Sequence, residues 1–354
     1  MQINKITVST LKIPLNRIFK TAIRSTDYLE DLFITIEADG IVGYGSAPAT
    51  TAITGDTIEG MQSVMEKIVL PNLLGINPLD RLTIQQTILK KFAGNSGVKM
   101  AVDMALFDLA AKAANMPLYQ YLGGSNHSLT TDVTISCGNI HETEKHVHQA
   151  LNKGFKILKV KLGKSIHDDI ATCHALAACL PKDCLVRIDA NQGWTQDETL
   201  YFLDELTKIN LNIECIEQPV AASNLVGMQT ITAKSKWLIM ADESVFHCAD
   251  ALRVLQTNAA NLINIKLAKC GGIANAIKIK NLADTYHTEC MIGCMMESPL
   301  GIAAAAHFAL ATGISKIDLD PLDWISNDLY DSWLTFKNAK IELSTRPGIG
   351  YIPV

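Results

Sequence analysis

Residues 4 to 13 alternate apolar and polar positions with a period of two, as a strand with one buried face does, and residues 31 to 45 repeat the pattern. The second stretch folds back at Asp39-Gly40, a two-residue signal for a tight hairpin. Helical spacing follows over about 58 to 69, 79 to 93 and 97 to 114, the last with Val102, Leu106, Leu109 and Ala113 on one stripe. Strands followed by helices predict an α+β unit over residues 1–125.

From about residue 130 the texture changes to short apolar runs alternating with amphipathic helices, at a period of about 24 to 28 residues. The runs are TTDVTISCG, ILKVKLG, CLVRIDANQG, LNIECIEQP, WLIMADES, NLINIKLAK, TECMIGCM and KIDLDP. Eight nearly continuous apolar strands with seven helices between them predict an α/β fold over residues 126–321, a closed parallel barrel rather than an open doubly wound sheet. The pattern breaks up after about residue 322, around Asp323, Trp324 and Asn327, and the tail 322–354 is expected to return to the N-terminal unit.

The chain of 354 residues has room for such a barrel and an accessory domain, and its 48% hydrophobic and 19% charged composition supports a sizeable core. The apolar stretch from Gly301 to Ala311 is interrupted by His307 well short of a membrane span. The opening MQINKITVSTLKIPLNR has neither the apolar run nor the cleavage site of an export signal. Nine cysteines, an odd number without CxxC spacing and mostly in apolar runs, read as small hydrophobes in a reducing cytoplasm. A net charge of −5 and the lack of a Lys/Arg run argue against nucleic acid and lipid surfaces. The partners expected are a small-molecule substrate and further copies of this chain in a homo-oligomer.

Charged residues recur at the C-terminal ends of successive barrel strands: Lys159 and Lys161 on the second, Asp189 on the third, Glu217 on the fourth, Asp242 on the fifth, Lys266 on the sixth, Asp318 and Asp320 on the eighth. Barrel enzymes keep their active sites on that rim. Singly, each has an ordinary explanation: Asp189 as turn chemistry in DANQG, Glu217 as a loop cap before Gln218-Pro219, Lys266 as a snorkelling surface residue. Together, three carboxylates on adjacent strands need a cation, and oxygen donors without His or Cys suit Mg²⁺, with Mn²⁺ as a substitute, rather than Zn²⁺. The stretch HETEKHVH (141 to 148) lacks HExxH spacing and reads as a solvated helix face.

Residues two apart on a strand point to one side, so Lys159 and Lys161 share a face. An aggregation-guarding edge strand would explain them, but a closed barrel has no edges. In a ring of eight strands the second lies opposite the sixth, which sets Lys161 and Lys266 across the mouth from each other. A substrate carbon between them has one amine on each face: one lysine removes the α-proton, the other returns a proton, and a metal on the substrate carboxylate absorbs the charge of an enediolate. Lys161 reads as the base, and Lys159 as an extra positive charge beside the enolate oxygen. The metal and like-charged neighbours are expected to depress the lysine pKa values.

The motifs KVK, IDANQGW, IECIEQP, ADES and INIKLAKCGGI, in this order and spacing, resemble the muconate-lactonizing-enzyme subgroup of the enolase superfamily over nearly the whole chain. That resemblance implies a (β/α)7β modified TIM barrel with an α+β capping domain, Asp189, Glu217 and Asp242 as Mg²⁺ ligands, and Lys161 and Lys266 as the acid/base pair. Asp318-Leu319-Asp320 looks like the pair with which dipeptide epimerases hold a substrate ammonium group; such a pair would repel the anionic substrates of cycloisomerases and o-succinylbenzoate synthases. The resemblance therefore implies epimerisation of the C-terminal residue of an Ala-Xaa dipeptide. Arg24, in KTAIRSTD, resembles a capping-loop arginine that grips a glutamate side chain, whereas Cys294, Met295 and Met296 offer an adaptable apolar wall that favours a small or apolar Xaa. Thr134 matches a backbone-contacting position. The alternatives are an N-acylamino-acid racemase or o-succinylbenzoate synthase, a Schiff-base aldolase, which has no use for the carboxylate triad, and a non-catalytic peptide-binding barrel, which has none for opposed lysines.

Overall fold

A computed structural model describes residues 1–21, 25–136 and 138–353. The N-terminal sheet contains β1 (Ile3–Lys20), β2 (Ser25–Ala38) and β3 (Ile41–Pro48), antiparallel in that order. On β2 the alternation is literal: Leu32, Ile34, Ile36 and Ala38 are fully buried, and the residues between them are half-buried. Asp39 and Gly40 form the two-residue turn, both at positive φ (52° and 79°), with Ala38 paired to Ile41. The first strand exceeds the 4 to 13 expected, because pairing with β2 resumes beyond an irregularity after Pro14 and continues to Lys20.

The helix Ser96–Ala113 packs on β3, and nearly all of it is buried. Glycine at position 45 permits this contact, since a Cβ there would stand 2.0 Å from Ala101 O. The helical stretch expected at 58 to 69 continues as one run of turns from Ile58 to Leu73. The one expected at 79 to 93 is shorter, Arg81–Thr87 followed by a tight turn at Leu89–Lys91.

After β4 (Ser128–Thr130), eight parallel strands follow: β5 (Val133–Ile135), β6 (Ile157–Lys161), β7 (Leu185–Asp189), β8 (Ile213–Glu217), β9 (Leu238–Ala241), β10 (Leu262–Lys266), β11 (Glu289–Gly293) and β12 (Lys316–Ile317). Each pairs with its sequence neighbour, and helices cover the connections. The ends of the sheet meet through Asp132 N–H to Ile317 O (3.4 Å) and Leu319 N–H to Thr131 Oγ1 (2.8 Å). Inside, Arg187 is buried between Asp132 and Glu214 and donates to Ile317 O. The Ala-rich helix Pro299–Thr312 is buried on nearly every side because it packs against both β11 and β3.

The tail forms a hairpin, β13 (Leu334–Lys337) and β14 (Lys340–Leu343), whose second strand pairs with β4. Beyond it, Leu118 N–H donates to Gly348 O, Gly348 N–H to Met116 O, and the Tyr351 ring packs 4.9 Å from Tyr44 and 6.0 Å from Phe33. Among the described residues no helix is long and apolar enough to cross a membrane, and the eight described cysteines are free thiols.

Candidate active site

The barrel places its charges where the strands end. Lys159 and Lys161 both point inward from β6, with 1% and 8% of their surface exposed. Lys161, Asp189 and Glu217 are register partners across β6, β7 and β8, so one row of the ladder carries a lysine and two carboxylates. Asp242 follows β9 directly and Lys266 ends β10. Strand β12 is shorter than KIDLDP suggested: it stops at Ile317, although Asp318 N–H still donates to Ile292 O at 2.9 Å. Asp318 and Asp320 lie beyond it and still face one way, for both line a cleft with Lys159, Lys161, Lys266, Thr134, Cys294 and Met296. Asp189 and Glu217 are fully buried below these residues. Phe19, Thr21 and Ile53 of the N-terminal unit complete the cleft.

Each of these ammonium groups meets a carboxylate. Lys159 Nζ lies 3.0 Å from Asp189 Oδ2, 2.6 Å from Glu217 Oε2 and 2.7 Å from Asp318 Oδ2. Lys161 Nζ pairs with Asp189 Oδ2 at 2.6 Å and Lys266 Nζ with Asp242 Oδ2 at 2.7 Å. Lys269 donates to Asp242 Oδ1 and to its carbonyl. Burial favours neutral forms, but the lysines override it to hold Asp189 and Asp242 well below the usual carboxylate range. Glu217 goes the other way, pushed up to about 8 by burial and then by the Asp189 charge.

The expected depression of the lysines rests on a bound metal; among the protein's own groups the balance at Lys159 and Lys266 runs the other way. Burial pulls Lys159 and Lys266 down, yet Asp318, Glu217 and Asp189 raise the first well above its ordinary value, and Asp242 raises the second. Attraction from carboxylates in direct contact exceeds repulsion between lysines.

The donor set fits a hard divalent cation. Asp189, Glu217 and Asp242 are buried carboxylates at the ends of three neighbouring strands. Around them, Glu217 Oε2, Asn191 Oδ1, Asn264 Oδ1 and Glu243 Oε2 are buried without hydrogen-bond partners, and Glu217 Oε2 has only its ion pair with Lys159. Among the described residues, ligand-type atoms also cluster at Cys294, Asp318 and Asp320, within 4.8 Å of one another. Those groups are already engaged: Asp318 by Lys159, Asp320 Oδ2 by Thr134 N–H and Trp324 Nε1–H, and the Cys294 thiol by Asp318 O. Burial keeps that thiol protonated, so the triad is the better match to Mg²⁺.

Three residues of this site were not legible in the sequence. Glu243 adjoins Asp242, and in a continuing strand it would face the opposite side, but β9 ends at Ala241, and the chain then turns the Glu243 side chain into the cleft, where Asn191 Nδ2 donates to it at 3.3 Å. Asn191 lies two residues past Asp189 in DANQG, a stretch whose pattern singles out only Asp189. Lys269 reaches Asp242 because a helical turn, Leu267–Cys270, follows Lys266 at once, a geometry for which IKLAK was the available signal. Arg24 lies outside the described residues. The helix Ile140–Asn152 keeps His141 and His148 exposed and away from the cleft.

Residues 5–123 match the family described as mandelate racemase / muconate lactonizing enzyme, N-terminal domain, and residues 142–353 match the enolase C-terminal domain-like family. The chain is 46% identical over 348 residues to an L-amino acid-D/L-Glu epimerase of Francisella philomiragia, covering 98% of each protein. It resembles the substrate-liganded L-Ala-D/L-Glu epimerase from Bacillus subtilis with a TM-score of 0.97 and 38% identity over 99% of both chains. It is also similar to the Enterococcus faecalis V583 dipeptide epimerase complexed with Mg and L-Leu-L-Tyr, with a TM-score of 0.93 and 34% identity over 99% of both chains.

Proposed function

The chain belongs to the mandelate racemase / muconate lactonizing enzyme family of the enolase superfamily, and on that premise we propose that it inverts the α-carbon of the C-terminal residue of an Ala-Xaa dipeptide. It is a Mg²⁺-dependent dipeptide epimerase, an isomerase. The observation that carries the substrate reading is one cleft lined by both Lys161 and Lys266 and by the acidic pair Asp318 and Asp320.

In this reading Asp189, Glu217 and Asp242 hold the cation, whose charge, when bound, lowers the cost of negative charge on the substrate carboxylate. Lys161 and Lys266 take opposite faces of the α-carbon. The neutral amine of one accepts the α-proton, the C–H electron pair moves into the carboxylate, and the ammonium of the other delivers a proton to the opposite face. Lys159 adds positive charge beside the forming anion. Asp318 and Asp320 receive the free α-ammonium of the N-terminal residue, and Thr134 contacts the dipeptide backbone. The capping unit 1–125 with the tail 322–354, the barrel 126–321, a cytoplasmic setting and assembly as a homo-oligomer belong to the same proposal.

Two identities of Xaa have support. The Francisella relative is named for D/L-Glu, which favours glutamate, while Met295, Met296, Phe19, Ile53 and Pro321 make much of the cleft apolar, which favours alanine or a larger apolar residue. A library of L-Ala-L-Xaa dipeptides in deuterated water, followed by α-proton loss and appearance of the second isomer, decides between them. Exchange with none of them would overturn the proposal in favour of a binding barrel.

A further inference from the structure

Two carboxyl groups outside the chemistry above hold the apolar wall of the cleft from behind. Glu297 follows Met296 in the loop between β11 and the helix Pro299–Thr312 and is 2% exposed. Its Oε1 accepts the Met295 backbone N–H at 2.9 Å, fixing the main chain of the wall itself. Its Oε2 is buried without a hydrogen-bond partner and sits over the first helical turn because residue 301 is glycine: a Cβ there would lie 2.3 Å from that oxygen.

Asp31 approaches the same loop from β2 and is fully buried. Its Oδ2 accepts the Ser298 N–H at 3.0 Å, while the hydroxyls of Ser46, on β3, and Ser298 meet at 2.8 Å. Asp31 Oδ1 has no hydrogen-bond partner. Burial pushes Asp31 up to about 7, and burial with the Asp31 charge pushes Glu297 up to about 8, as two carboxyls with little counter-charge require.

We propose that Glu297 and Asp31 are positioning residues for substrate selectivity: they hold the Cys294–Met296 wall at a fixed depth against the N-terminal sheet and so set which Xaa side chain the cleft admits. This rests on the Ala-Xaa reading.

The test compares wild type with Glu297→Ala, Glu297→Asp, Glu297→Gln and Asp31→Ala on L-Ala-L-Ala, L-Ala-L-Leu and L-Ala-L-Glu, alongside backbone hydrogen exchange through residues 293–298. Ala or Asp at 297 no longer reaches the Met295 N–H. Those variants, and Asp31→Ala, narrow the spread of kcat/KM among the three dipeptides by about tenfold, mainly through KM. Met295 exchange rises about tenfold in the two shortened Glu297 variants. Glu297→Gln, which keeps the acceptor and the shape, restores both readouts. Wild-type spreads in Glu297→Ala and Glu297→Asp, whatever their Tm, overturn the proposal; if one of them does not fold, the other decides. If the wild type turns over none of the dipeptides, it is the substrate reading that fails, and Met295 exchange alone then decides whether Glu297 fixes the wall.

Discussion

Lys161 faces Asp189 across the β6–β7 ladder, and its ammonium nitrogen lies 2.6 Å from Asp189 Oδ2, so the proposed base and a proposed metal ligand are locked side by side. Lys266 repeats the arrangement with Asp242 at 2.7 Å. Each lysine is therefore oriented by a carboxylate that the reaction does not consume.

Replacing either lysine separates the two faces of the reaction. Lys161→Ala and Lys266→Ala each lose net epimerisation, while each still exchanges the α-proton of one isomer with solvent deuterium through the surviving amine. Proton NMR of both isomers in deuterated water checks this; near wild-type epimerisation by either variant contradicts a two-base mechanism.

Exhaustive chelation abolishes turnover, and Mg²⁺ or Mn²⁺ restores it, since Asp189, Glu217 and Asp242 hold only oxygen donors toward the cation. Asp189→Asn weakens the response, read as a higher Mg²⁺ concentration for half-maximal rate. Full activity after metal removal would rule out this use of the triad.

At Asp318 and Asp320 the expected effect depends on the substrate. A charge-assisted contact to the α-ammonium is worth roughly 1.5 to 3 kcal/mol, so Asp318→Asn or Asp320→Asn lowers kcat/KM for a free dipeptide by about one to two decades. The N-acetylated dipeptide, which lacks the cation, is already poor with wild type and changes little. Equal turnover of both substrates by wild type would instead favour an N-acylamino-acid racemase.

Glu297 makes stability pH-dependent with a definite sign. Its carboxyl is raised from the ordinary glutamate range to about 8, so between those values the folded chain holds a proton that the unfolded chain releases. Its contribution is therefore complete at low pH and is lost as pH rises toward 8. Subtracting the Tm of wild type from that of Glu297→Gln removes the other titrating groups, and the difference grows from pH 5 to pH 8 by on the order of several degrees. A flat difference would place the carboxyl in its ordinary range.

The parts that could be read from the sequence are those set by short-range rules. The period of two on β2, the Asp39-Gly40 turn and the shared face of Lys159 and Lys161 each follow from a few adjacent residues, and the helical rhythm after residue 130 announces the barrel. What escaped depends on where an element stops or on partners far along the chain. Glu243 enters the cleft because β9 ends two residues earlier. The charged state of Lys159 is set by Asp189, Glu217 and Asp318, which come from three different strand ends. Asp31 and Ser298 meet at a sequence separation of 267, a contact that no local pattern encodes.

The packing of Tyr351 on Tyr44 and Phe33 has a consequence for biosynthesis. The first sheet leaves the ribosome roughly three hundred residues before the ring that covers this part of it, and at about 5–20 residues per second that interval is on the order of tens of seconds. During that time Tyr44 and Phe33 have each other, and Tyr44 has Lys112, but both lack the Tyr351 ring. The N-terminal sheet thus emerges well before the contact that completes this part of it.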